Sequence, residues 1–176
     1  PFCIMRHQHS LAMAELRSHE PKIEPLVFDC LPENGPLRNR ARHDFNQSWT
    51  SIKLALQHIA EREGHEDLVG GSWTDRPKSF FAQTAFAVGA SNAGTGVRWF
   101  SMSPALLEAI VLAEVPEPMT FRRFCEAILY ERLGIVIDSR SAQAAGIAEV
   151  DQSTFRANAE MFAEMLAELG VLERFS

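Results

Sequence analysis

Large apolar residues recur along this chain with a helical rhythm in two places. Phe45, Trp49, Ile52, Leu56 and Ile59 step by four, three, four and three, which is the stripe of an amphipathic helix. Lys53, Glu61 and Arg62 fall off that stripe. The pattern predicts one long helix near residues 37–63, with Gly64 as its stop. Phe155, Ala159, Phe162, Leu166 and Leu169 repeat the same steps before Gly170. They predict a second helix, entered through Asp151-Gln152-Ser153.

Capping residues mark two more helices. Ser103-Pro104 is a strong start signal, because proline lacks the amide that would go unpaired in a first turn. Leu106, Leu107, Ile110 and Val111 then form an inner face, and Pro116-Glu117-Pro118 ends the segment. Thr120 starts the next helix, with Phe121, Phe124, Ile128 and Leu129 inward and Gly134 closing it. Ile135-Val136-Ile137 reads as a strand and Ser141–Ala145 as a single helical turn.

The first hundred residues are less regular. Leu11–Leu16 is a good helix former. Pro21, Pro25, Pro32 and Pro36 interrupt the chain beyond it, so Leu26-Val27-Phe28 reads as an edge strand or a loop. Residues 79–88 fit a helix with Phe81, Ala85 and Val88 inward, and equally a strand. Gly70-Gly71 and residues 89–96 read as loops, and Val97–Met102 as a brief strand. The fold class expected is mainly α and bundle-like. An irregular helical region spans 1–102, and a compact, winged-helix-like three-helix unit spans 103–176.

Composition adds bounds. A hydrophobic fraction of 46% is ample for a core, and a net charge of −6 gives no global attraction to nucleic acid or anionic lipid. Cys3, Cys30 and Cys125 are widely spaced with no CxxC pair, which suits free thiols in a cytoplasmic protein. No apolar run reaches membrane-span length, and the start has no signal-peptide pattern. The chain opens on Pro1 rather than Met, so a fragment of a longer polypeptide is expected.

Candidate chemistry is sparse. Gly89 and Gly94 have the spacing of a phosphate loop, but Thr95 and Gly96 stand where that loop needs its lysine and hydroxyl residue. His7-Gln8-His9 would place two imidazoles on one face if it were a strand. His19, His43, His58, His65 and Asp44 lack motif spacing around it, so no metal ligand or cofactor is assigned. No nucleophile elbow or Cys/His arrangement points to catalysis. The densest positive charge is Arg38, Arg40 and Arg42, at the start of the long helix. Guanidinium groups there suit phosphate. Arg122, Arg123, Arg132, Arg140 and Arg156 form a looser set. Arg156 sits on the last helix, which Glu160, Glu164 and Glu168 make acidic further along.

Taken in order, Ser103–Val111, Phe121-Arg122-Arg123-Phe124 and Leu166–Leu172 resemble a winged-helix-type module of bacterial DNA-processing and anti-phage defence proteins. The resemblance implies a third helix that passes into a β-wing at Val171–Phe175. It also implies work within a larger bacterial assembly, in foreign-DNA defence. The first functional expectation is therefore a non-catalytic DNA-associated or assembly module. Its nucleic-acid contacts would be Arg38, Arg40, Arg42 and Arg156, its partners nucleic acid and protein, and no membrane would be involved. One alternative is a protein-interaction scaffold using Phe80, Phe81, Phe86, Trp99 and Phe100. The other is a metal-dependent hydrolase fragment using His7 and His9.

Overall fold

Two short parallel strands lie inside a shell of helices. β1 (Leu26–Val27) pairs with β2 (Ile135–Val136), Leu26 opposite Ile135 and Val27 opposite Val136. The computed structural model describes residues 2–65, 75–93 and 96–171. The helices are α1 (Phe2–Arg17), α2 (Pro36–Arg62), α3 (Asp75–Ala87), α4 (Pro104–Glu114), α5, α6 (Ser139–Ala144) and α7 (Gln152–Glu168). α5 begins as an α-helical turn, Phe121–Arg123, and continues as a π-helix over Phe124–Arg132. The fold is mainly helical, as the periodicity requires.

Three of the helix starts rest on the side chains expected to cap them. Ser103 Oγ accepts from Leu106 N–H, Thr120 Oγ1 from Arg123 N–H, and an Asp151 carboxylate oxygen from Ser153 N–H. Each satisfies an amide that the first turn leaves open. The π-helical winding of α5 accommodates its apolar spacing. Phe124, Cys125, Ile128, Leu129 and Leu133 are all buried, and the steps of five among them align more closely in a wider turn than at 3.6 residues per turn.

Leu26-Val27-Phe28 is an edge strand by topology, since the sheet has two strands, but its free side is covered. All three residues are buried, as are Ile135, Val136 and Ile137. Prolines flank the segment without interrupting its pairing, because the bonds are made by other residues. Leu26 N–H reaches Gly134 O at 2.8 Å, and Phe28 N–H reaches Val136 O at 3.1 Å. The opposite side of β1 meets α2, where Val27 N–H donates to Asp44 at 2.8 Å. Residues 79–87 resolve as helix, with Phe81 and Ala85 buried. Of the strand expected at 97–102, a single bridge between Ser91 and Phe100 is formed.

The core does not divide at residue 102. One apolar cluster runs from Phe2, Phe28 and Phe45 through Leu107 and Leu129 to Phe162, and the β pair joins the two sides. Burial also removes two members of the expected aromatic patch. Phe81 and Phe100 pack with Phe45 at ring-centroid distances of 5.5 and 5.1 Å, and only Phe80 and Phe86 of that patch are more than half exposed. Gly70, Gly71, Trp73, Gly94, Thr95 and the wing residues Leu172–Phe175 lie outside the described residues.

Candidate functional site

The arginines of the first turns of α2 have three different environments. Arg38 is buried, and its Nε donates to Asp29 at 2.7 Å. The rest of its guanidinium donates to Asn34 Oδ1 and to the Leu31 carbonyl, and lies 4.5 Å over the Trp99 ring. Arg40 bonds Asp44 at 2.7 Å and pairs with Glu149. Both charges are matched inside the protein. The expectation that they reach phosphate is revised accordingly, since a guanidinium already matched to carboxylates has few donors left.

Arg42, one turn beyond Arg38, has no such partner among the described residues. Its Nε is shielded from solvent and none of them offers it an acceptor. It lines a cleft of about 630 Å³ with Phe45, Asn46, Trp49, Lys78 and Arg98 among the walls. Lys78 Nζ sits 4.5 Å over the Trp49 ring. Three helical and loop segments thus bring three cations together, and no Asp or Glu is among the described lining residues. Lys78 and Arg98 escaped sequence reading because they stand 36 and 56 positions after Arg42, in no motif.

The remaining basic residues are dispersed. Arg122 bonds Glu126 at 3.0 Å, Arg140 lies 3.6 Å from the same carboxylate, and Arg132 pairs with Glu114 at 2.9 Å. Arg156 is exposed on α7, on the same helix as the exposed Glu160, Glu164 and Glu168. The Asp151 carboxyl at the start of that helix is held below its usual range, chiefly by bonds from Ser153 and in smaller part by Arg156.

His7 and His9 do not converge. They lie on α1 rather than on a strand, and two positions along a helix are about 200° apart. His7 is exposed and His9 buried. Burial first, then Arg6 and Arg17, push the His9 imidazole down to about 4. Among the described residues no three His, Cys, Asp or Glu side chains gather as a metal site. Burial also raises the Cys30 thiol to about 12, with Asp29 adding to the effect, and lifts Cys125 above its ordinary range. Gly89 is structural. It has φ +76°, its carbonyl accepts from Ser103 N–H at 2.9 Å, and a Cβ there would overlap Ser103 Oγ.

A second surface is apolar. A groove of about 800 Å³ runs between the start of α1, the end of α3 and α4. Ala105, Ala109 and Ala113 line it at four-residue spacing, with exposed Phe86 and Cys3 also on its walls. No helix among the described residues is long and apolar enough to cross a membrane. No protein-family model, curated protein or solved structure matches the chain.

Proposed function

We propose that this chain is a non-catalytic assembly module whose α4 groove receives an amphipathic helix from a protein partner. The observation that carries the reading is the alanine row at 105, 109 and 113 inside a groove of about 800 Å³. Side chains that end at Cβ let another helix approach closely, and its large residues at i, i+3 or i+4, and i+7 would fill the space. The exposed Phe86 supplies an aromatic wall, and Ser91, Asn92 and Glu114 supply polar groups around it. Leu112, 80% exposed on the same helix, extends the apolar surface beyond the groove.

This reading keeps the assembly role implied by the winged-helix resemblance of residues 103–176, within a larger bacterial machine. It moves the contact surface to α4. DNA association has weaker support, because Arg38 and Arg40 are matched internally and Arg156 stands on an acidic helix. A photo-crosslinking residue at position 109 of the natural polypeptide, in the producing cell, tests the proposal. One discrete adduct is expected, lost when Ala105→Glu places a charge in the groove while thermal stability stays unchanged. No adduct, or an adduct that survives Ala105→Glu, would sink it.

A further inference from the structure

We infer that the groove between α1, α2 and α3 binds a single-chain amphiphile with an anionic headgroup, of the fatty-acid class. The inference goes beyond the assembly role and concerns a different surface from the α4 groove. The space measures about 690 Å³, within the range of the small-ligand sites that helical bundles form between their helices.

The groove exists because the apolar stripe of α2 is left unfinished. Phe45, at the head of that stripe, is buried, whereas Ile52, Leu56 and Ile59 are only half-buried and line the groove. Ala12 of α1 and Ala55 of α2 are buried at its floor. Their side chains end at Cβ, so the space above them stays open. Leu11, 46% exposed, and Phe80, 58% exposed, form the lips. These large side chains hold a helix backbone off the alanine floor, yet they admit a chain one methylene wide. Covering such apolar surface is what draws an acyl chain out of water.

The polar lining selects the headgroup. Among the described lining residues only Gln8, Glu15 and Arg76 carry polar side chains. Glu15 is engaged by Arg62 and by His58, whose Nδ1 lies 3.2 Å from its Oε1. Arg76, exposed in the first turn of α3, has no ion pair or hydrogen bond among the described residues. The charge available at the rim is therefore a cation, and a carboxylate at the end of an acyl chain complements it. No second cation is among the described lining residues to suit a diphosphate or a nucleic-acid strand. An anionic bilayer is disfavoured as the source of the chain, because the protein carries −6.

Calorimetric titration of the whole chain tests the groove with octanoate, decanoate and dodecanoate, each below its micelle concentration. Decan-1-ol is the uncharged match. Affinity is expected to rise about fourfold for each added methylene that the groove buries. Decanoate should bind about threefold tighter than decan-1-ol. Arg76→Gln should bring decanoate down to the level of the alcohol and leave the alcohol unchanged. Phe80→Glu removes one lip and sets a carboxylate one turn from Arg76, so it should weaken decanoate about tenfold or more. Both positions are exposed, and both variants should keep the parent's melting temperature. Phe86→Glu, on the α4 groove, should leave decanoate binding unchanged, which separates loss of this ligand from loss of an α4 partner. No binding of any probe at about 1 mM, affinity indifferent to chain length, equal affinity for decanoate and decan-1-ol, or binding that survives Phe80→Glu would overturn the inference. So would capture of the chain by phosphatidylglycerol vesicles that Arg76→Gln abolishes, since a bilayer would then be the occupant.

Discussion

Arg38 and Arg42 sit one helical turn apart on the same helix, and their surroundings are opposites. Around Arg38, carboxylate, amide and carbonyl groups converge on the guanidinium. Asp29 takes its Nε–H and also accepts from Leu31 N–H, while Trp99 covers the guanidinium face. Around Arg42, two more cations converge and no described carboxylate lines the space. The first region uses charge to fix the end of β1 against α2. The second gathers basic side chains around an open cleft. Clustered arginines in a sequence can therefore have opposite surroundings within a few residues of each other.

The comparison breaks most severely if the closed region is opened. Arg38→Met leaves the buried Asp29 carboxylate without its cation and should cost about 3–5 kcal/mol of unfolding free energy, read by urea denaturation. Adding Asp29→Asn should recover a large part of that loss, because the uncompensated charge is then gone. Asn158→Leu ranks next. Asn158 accepts from Cys30 N–H at 2.8 Å and donates to the Phe28 and Ile137 carbonyls at 3.0 and 2.9 Å. Leucine would orphan three backbone groups in the core, at a cost of about 3–4 kcal/mol by the same assay.

A pH effect of similar size follows from His9. Its native form binds a proton more weakly than the unfolded chain does, because burial and Arg6 and Arg17 disfavour the cation. Its contribution is complete above pH 6.5 and is lost as pH falls toward about 4. At about 1.36 kcal/mol for each tenfold change in proton affinity, the loss is on the order of 3 kcal/mol. Burial raises the Asp44 carboxyl, which acts in the opposite sense. The measurement is therefore the difference between His9→Gln and the parent, and the variant should have the flatter profile of melting temperature against pH. The smallest effect belongs to the open region. Arg42→Gln removes a guanidinium with no carboxylate partner among the described residues and should cost far less than Arg38→Met, measured by urea denaturation. A loss as large as that of Arg38→Met would erase the contrast between the two arginines.

Much of the helical frame was legible because its signals are local. Ser103, Thr120 and Asp151 announce helix starts within three residues of themselves, and the four–three rhythm on α2 and α7 needs only adjacent turns. The β pair was harder to read. Two-residue strands carry no period, and Pro25 pointed to an edge without showing that α2 would bury it. The π-helical part of α5 was missed because Phe124, Ile128 and Leu129 also satisfy an α-helical reading. Nothing local distinguishes Arg38 from Arg42 either. Asp29 and Trp99 settle the first, Lys78 and Arg98 the second, and those partners are brought close only by the tertiary fold.

The parallel pair has a consequence for how the protein is made. Leu26 must wait for Ile135, and Phe28 for Asn158, so the most apolar segment of the first third finds its partners only after more than a hundred further residues exist. At about 5–20 residues per second, that interval is roughly 5–20 s of synthesis. Pro25 and Asp29 bracket Leu26-Val27-Phe28 on either side. A proline and a charge are the residues that discourage an exposed apolar run from pairing with another nascent chain. The proline that disguised the strand in the sequence thus guards it on the ribosome.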